Sequence, residues 1–396
     1  MQDGSRPHPV PTRNTSRDVR LDFFRGLGMF IIFIAHVPRN PWNDWIPARF
    51  GFSDATEIFV FCSGMASAIA FAGVFDRAGF AFGLARVLYR CWQVYWCHIG
   101  LFLICVTMMV ATDQFFGTGA QFVTSLNVGR FLGADTEQAL FGLFTLTYVP
   151  NLFDILPMYL VVLALIPVIM ALSKLGPAAP LFFCAILWGI AWHGGVNFPA
   201  EPWSDRPWFF NPLAWQAIFF TGFAFIRGWL PAPPISRPLV ILAVAIVGLT
   251  VPFAHAWGIA ALPETLVVPY RWIDKNNFGP LRYIHFLALA YLAYAAAGEK
   301  GANLHGPFVA MCCKVGQQSL AVFMSGIVFS LMGNIILTLY GYTIPMVTAV
   351  NLAGFAGLIA VAYTVSWFKS KPWAIRRVSS PREVRTAMSP GSQAAE

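Results

Sequence analysis

The stretch Asp22-Phe-Phe-Arg25-Gly-Leu-Gly-Met-Phe-Ile-Ile-Phe-Ile-Ala-His36 is an apolar run with a cation near one end and an imidazole at the other. Arg25 and His36 are eleven residues apart. At about 100° and 1.5 Å per residue that is three helical turns plus roughly 20°, so both side chains share one face, about 16 Å apart along the axis. An ionisable group sunk that deep in lipid is costly and is ordinarily tied to a site or a water-filled cavity. The bland alternative is an arginine that snorkels to headgroups and a histidine that bonds a carbonyl.

Similar runs recur along the chain. Segments able to cross roughly 30 Å of hydrocarbon lie at about 54–73, 87–111, 150–172, 178–193, 209–229, 237–256, 281–298, 315–337 and 343–367, and with 23–38 they make ten. The composition agrees: 57% of the 396 residues are hydrophobic and 11% charged, against roughly 25% charged in soluble domains. The expected fold is an all-α polytopic transmembrane helical bundle of about ten spans. Residues 1–20 and 371–396 read as disordered tails around a membrane domain at 21–370.

The net charge of +8 does not indicate nucleic acid, because the basic residues recur at the ends of apolar runs instead of forming one patch. With the amino terminus inside, 19 of the 26 Lys and Arg are cytoplasmic; only Arg39, Arg49, Arg130, Arg206, Arg271, Lys275 and Arg282 fall outside. That imbalance follows the positive-inside rule, and an even span count returns both termini to the cytoplasm. The outer segments carry Trp42, Trp45, Trp203, Trp208 and Trp272. These residues suit an interfacial belt, and equally a stacking floor for sugar rings. The seven cysteines show no CxxC pair and no metal-ligand spacing, so no metal is expected. A phosphate-binding Walker loop, a GxSxG elbow and an HExxH zinc motif are absent.

The second span opens with Asp54-Ala-Thr-Glu57, a spacing that suits a helix cap with a reciprocal glutamate. The topology also brings His36 to about the depth of this carboxylate pair, and a histidine oriented by a carboxylate is the usual base for activating a hydroxyl. Further polar groups at membrane depth are Arg90, His98, Asp154, and Arg282 with His285, the last two spaced to share a face. Asn211, Trp215, Gln216 and Ser319 add neutral donors, each of which also reads as a helix-helix hydrogen bond.

At Arg17-Asp-Val-Arg20-Leu-Asp22-Phe-Phe-Arg25-Gly26, His36, Gly51-Phe-Ser-Asp-Ala-Thr-Glu57 and Ser63-Gly64 the chain resembles the OpgC family of membrane succinyltransferases of osmoregulated periplasmic glucans. Tyr148-Val-Pro-Asn151-Leu-Phe-Asp154, Phe210-Asn-Pro-Leu-Ala-Trp-Gln216, Gly279-Pro-Leu-Arg282-Tyr-Ile-His285 and Gln318-Ser319-Leu-Ala-Val-Phe323 carry the likeness onward. The arginine, ten residues, histidine pattern is similar to the wider acyltransferase-3 group. The resemblance implies a multi-pass protein of a bacterial inner membrane. It would take a succinyl group from cytoplasmic succinyl-CoA (or acetyl from acetyl-CoA), with no tightly bound cofactor, and transfer it to a hydroxyl of periplasmic glucan. His36 would be the general base, oriented by Asp54 or Glu57. Arg25, Arg90 and Ser63 would hold coenzyme A. Arg282 and His285 would hold the succinyl carboxylate or polarise the thioester, and Asp154, Asn211, Trp215, Gln216 and Ser319 would complete the substrate site. Gln317-Gln318 departs from the pattern where a basic residue would be unsurprising. The rival reading is a secondary transporter of an anionic carbohydrate, disfavoured because the carboxylate-rich second span has no counterpart in the second half.

Overall fold

In a computed structural model, residues 18–374 are described except 262, 264 and 265. Residues 1–17 and 375–396, most of the two expected tails, lie outside the described residues, whereas Val19 and Arg20 belong to the first helix. Among the described residues there are helices and a single isolated bridge between Pro199 and Pro207, with no strand. The principal helices are α1 (Val19–His36), α2 (Ala55–Ser67, carried through a π turn to Ala78), α3 (Phe80–Phe116), α4 (Ile155–Leu172), α5 (Ala178–Gly194), α6 (Pro212–Arg227), α7 (Arg237–Ala254), α8 (Pro280–Ala297), α9 (Pro307–Gln317), α10 (Ser319–Tyr340) and α11 (Ile344–Lys369).

Each of the ten apolar segments coincides with one of these helices, and α9 is an additional short one. Six of them, α2, α3, α4, α7, α10 and α11, are long and apolar enough to cross a membrane. The others are shorter or more polar: α5 has 17 residues, α6 has 16, and α1 carries Arg20, Asp22 and Arg25 within 18. At about 1.5 Å per residue the 37 residues of α3 extend roughly 55 Å, well beyond the hydrocarbon thickness.

Lipid is as apolar as leucine, so helices in a bilayer associate where small residues let backbones approach closely. Two such crossings build the centre. A Cβ added at Gly26 would collide with the Cys312 carbonyl, and one at Gly316 with the Asp22 carbonyl, so α1 and α9 interlock through reciprocal glycines. Gly64 against the Phe219 carbonyl and Gly222 against the Phe61 carbonyl do the same for α2 and α6. The latter crossing leaves α6 buried continuously from Ala214 to Ala224. By contrast α7 buries only Ala243 and lies at the periphery. Between these crossings α1 and α10 run side by side in one direction: Arg25 meets Ser319 at one end, and Met29, Phe33 and His36 face Val322, Gly326 and Ile327 farther along.

Candidate functional site

The ends of the helices around His36 enclose a cavity of about 720 Å³. His36, Asp54, Asp154, Arg206, Lys275 and Asn276 give it polar walls, and Phe59, Phe209, Phe210 and Phe323 give it aromatic ones. Sugar rings call for this mixture, with apolar faces to stack and hydroxyls to bond. His36, Ile32 and Phe323 also border a second, much smaller void that runs between α1 and α10 toward Met29 and Val322.

His36 ends α1 and is half-buried. Its Nδ1 lies 2.7 Å from the Ile32 carbonyl oxygen. A carbonyl only accepts, so Nδ1 carries the proton and Nε2 keeps a free electron pair. The orienting partner is thus a backbone carbonyl one turn back. Neither expected carboxylate hydrogen-bonds the ring among the described residues, although Asp54 interacts with it electrostatically.

Asp54 caps α2 by accepting from the Thr56 amide at 2.7 Å, and Glu57 accepts from the Asp54 amide at 2.8 Å, the capping box expected from the spacing. The second Asp54 oxygen receives Lys275 Nζ at 2.5 Å. Glu57 is fully buried, and its Oε1 takes both Nε (2.9 Å) and Nη2 (2.5 Å) of Arg282. Arg282 Nη2 stands 3.8 Å from Asp54, so two carboxylates and two cations form one neutral cluster. Such neutrality lets charge persist in a medium where an isolated ion is prohibitive. Asp54 precedes the first residue of its helix; burial alone would raise its carboxyl, but Lys275 and Arg282 prevail and hold it below the usual carboxylate range.

Asp154, at the head of α4, is in the opposite condition. Burial pushes its carboxyl up to about 6, with only Arg206 and two backbone amides opposing. Its Oδ1 has no hydrogen-bond partner among the described residues, and the side chain borders the cavity.

Arg282 and His285, expected to bind the acyl group, are buried and do not line the cavity. His285 Nδ1 accepts from the Ser53 amide at 3.2 Å and lies 2.7 Å from the Ser53 hydroxyl, while Gly51 packs against its ring. Asn211, Trp215 and Gln216, expected on the substrate, are fully buried and do not line the cavity. Asn211 caps α6 and gives its amide to the Val196 carbonyl and to Asn277 Oδ1; Trp215 Nε1 bonds the Lys275 carbonyl; Gln216 Nε2 bonds the Cys184 carbonyl. Their place is behind the cavity, where Asn211 and Trp215 hold the loop that bears Lys275 and Gln216 ties α6 to α5.

At the other end of α1 the polar side chains are engaged by α9 and α10. Arg25 donates to Ser319, and Gln317 Nε2 donates to Asp22 at 3.2 Å. Lys369 Nζ lies 2.6 Å from Gln318 Oε1, so the cation missing from the Gln317-Gln318 stretch is supplied in space by the end of α11. Ser63 is buried in α2, and Arg90 on α3 reaches Gln93 at 3.2 Å; neither lines the His36 cavity. Sequence reasoning missed Lys275 and Arg206 as wall residues. Lys275 lies 221 residues from its partner Asp54, and its only sequence signal is the polar run Lys275-Asn276-Asn277 ahead of Gly279-Pro280.

No curated protein and no solved structure gives a significant match to the chain. The family model described as OpgC protein matches residues 17–370, from the start of α1 to just past the end of α11. The chain belongs to the OpgC family.

Proposed function

We propose that this chain is a membrane O-acyltransferase that moves a succinyl group from cytoplasmic succinyl-CoA to a hydroxyl of periplasmic glucan, with His36 as general base. Membership in the OpgC family implies a transferase role in glucan modification. The succinyl donor and the inner bacterial membrane belong to the proposal through the family resemblance; the ten spans with both termini inside belong to it through the distribution of Lys and Arg along the sequence.

The observation that carries the reading is the His36 tautomer. Proton abstraction from an alcohol needs an unprotonated ring nitrogen within reach of the substrate. The Ile32 carbonyl fixes the proton on Nδ1, so Nε2 is that nitrogen, on a residue that borders both the cavity and the narrow void along α10. In the proposed reaction a glucan hydroxyl in the cavity attacks the thioester carbonyl. Nε2 takes the hydroxyl proton as the new C–O bond forms. When the tetrahedral intermediate collapses, the C–S bond breaks and the imidazolium returns that proton to the departing thiolate, so the base is regenerated. Arg25 lies at the cytoplasmic end of α1, the side from which the donor arrives, and Phe59, Phe209 and Phe210 offer the acceptor its stacking surface. Asp154, largely uncharged below about pH 6, serves as a hydrogen-bonding partner for sugar hydroxyls.

The test uses purified protein in nanodiscs with succinyl-CoA and glucan, following free thiol release and succinylated glucan by mass. Wild-type protein is expected to release thiol in proportion to glucan modified. His36→Ala is expected to lose about 1000-fold in rate with thermal stability unchanged. Retention of full rate in folded His36→Ala contradicts the assigned base.

A further inference from the structure

Removing a proton from the attacking hydroxyl is half of acyl transfer; the other half is stabilising negative charge on the carbonyl oxygen, commonly the larger contribution. A group that does this must donate a hydrogen bond at the cavity wall, beside the base, from a rigid support. Lys275 meets each condition. It borders the cavity and interacts electrostatically with His36. One ammonium N–H is directed at Asp54 Oδ2, and an ammonium has two more to give. The ammonium also lies 5.7 Å from the centre of the Phe210 ring, so the cation sits over the aromatic wall.

The support is unusually complete for a loop. Asp274 accepts from the Asn276 amide (2.8 Å) and from Asn277 Nδ2 (2.9 Å), and the Gly279 amide closes the turn on the Asp274 carbonyl at 2.8 Å. Trp215 holds the Lys275 carbonyl at 2.9 Å, the Asn211 amide holds the Asn276 carbonyl at 3.0 Å, and Trp188 holds the Phe278 carbonyl at 2.9 Å. Phe278 is kept at φ +50°, a left-handed conformation that a bulky residue adopts only where its surroundings dictate it. The buried residues Asn211 and Trp215 thus position a cation at the wall.

We infer that Lys275 is the electrophilic group of the reaction: its ammonium donates a hydrogen bond to the thioester carbonyl oxygen as the tetrahedral intermediate forms beside His36. This rests on the acyl-transfer reading and assigns the oxyanion to Lys275, with Asp54 holding the ammonium in place. During attack the carbonyl π pair moves onto oxygen and is held by the Lys275 N–H. On collapse the pair re-forms the C=O bond as the C–S bond breaks. Lys275 keeps its own proton throughout.

The alternative is that Lys275 only neutralises the buried Asp54, and the two roles separate in a double variant. Lys275→Gln is expected to lower kcat by about 100- to 1000-fold, with KM for the acyl donor changed less than about threefold and equal losses with succinyl-CoA and acetyl-CoA. Asp54→Asn/Lys275→Gln, which restores charge balance, is expected to be no faster than the single variant. Lys275→Arg keeps a donor and guards against misfolding of the neutral variant; it is expected to recover at least about tenfold over Lys275→Gln. Recovery of the double variant to near the wild-type rate overturns the inference, as does a loss confined to succinyl-CoA, which makes Lys275 a clamp for the distal carboxylate. A wild-type protein that transfers no acyl group from either donor overturns the acyl-transfer reading itself, and this inference with it.

Discussion

The two ends of α1 carry similar chemistry in sequence and are built in opposite ways. At the Arg25 end, glycines draw α1 against the backbone of α9, and the polar side chains Asp22 and Arg25 are engaged by Gln317 and Ser319. At the His36 end the helices part around about 720 Å³ of space: Asp54 and Lys275 of the neutral cluster stand at the wall with His36, Asp154 and Arg206, while Glu57 and Arg282 lie behind it. A membrane bundle can place polar groups at depth for cohesion or for chemistry, and access to the cavity tells the two apart. Glu57 and Arg282 bond each other away from the cavity, whereas His36 and Asp154 border it, and Asp154 Oδ1 has no hydrogen-bond partner among the described residues.

That contrast breaks most dramatically at Gly26. Replacing it with leucine drives a branched side chain into the Cys312 carbonyl, and the close backbone crossing leaves no neighbouring flexible group to yield. Gly26→Leu is expected to yield no monodisperse folded protein by size-exclusion chromatography in detergent, whereas His36→Ala elutes as the wild type does.

Removing one member of the neutral cluster comes next. Arg282→Met strands Glu57, fully buried, without its cation, and is expected to destabilise by about 3–5 kcal/mol. Adding Glu57→Gln is expected to return most of that loss, measured by thermal unfolding. A single variant as stable as the wild type refutes the cohesive role given to this pair.

The smallest effect concerns Asp154. Its carboxyl, raised by burial from 3.8 to about 6, binds its proton more tightly folded than unfolded. Its contribution favours the folded state below the ordinary value and is lost as pH rises through that window to about 6, after which the ionised group is a constant burden. Asp154→Asn is expected to flatten that part of the profile of melting temperature against pH and to be the more stable protein above it. An unchanged profile contradicts the carboxyl's raised affinity for its proton.

Much of the fold was legible because hydrocarbon imposes a simple rule: ten apolar segments of suitable length became ten helices, with boundaries shifted by a few residues. The capping box at Asp54 and Glu57 was equally legible, since it depends only on local spacing. What remained hidden was long-range pairing. Nothing local distinguishes Arg282, turned to Glu57, from Lys275, turned to Asp54 at the cavity, although the two cations are only seven residues apart. Asn211 and Trp215 looked like ligands because polar residues at a helix start are ambiguous; their donors in fact go to backbone carbonyls and a neighbouring asparagine that shape the Lys275 loop. His36 was singled out from its depth in the first helix and borders the cavity, but its hydrogen-bonded carbonyl is its own helix's, one turn back.

The central claim is that a donor reaching the protein from the Arg25 side meets an acceptor on the other side, at His36. Its most direct test is transfer across a sealed bilayer. Oriented proteoliposomes receive succinyl-CoA only on the Arg25 side and glucan only on the cavity side, with the succinylated glucan and the free thiol each measured on both sides. The account requires succinylated glucan on the cavity side and free coenzyme A on the Arg25 side, in equal amounts, and neither with His36→Ala. Transfer that occurs only when both substrates share one side contradicts it.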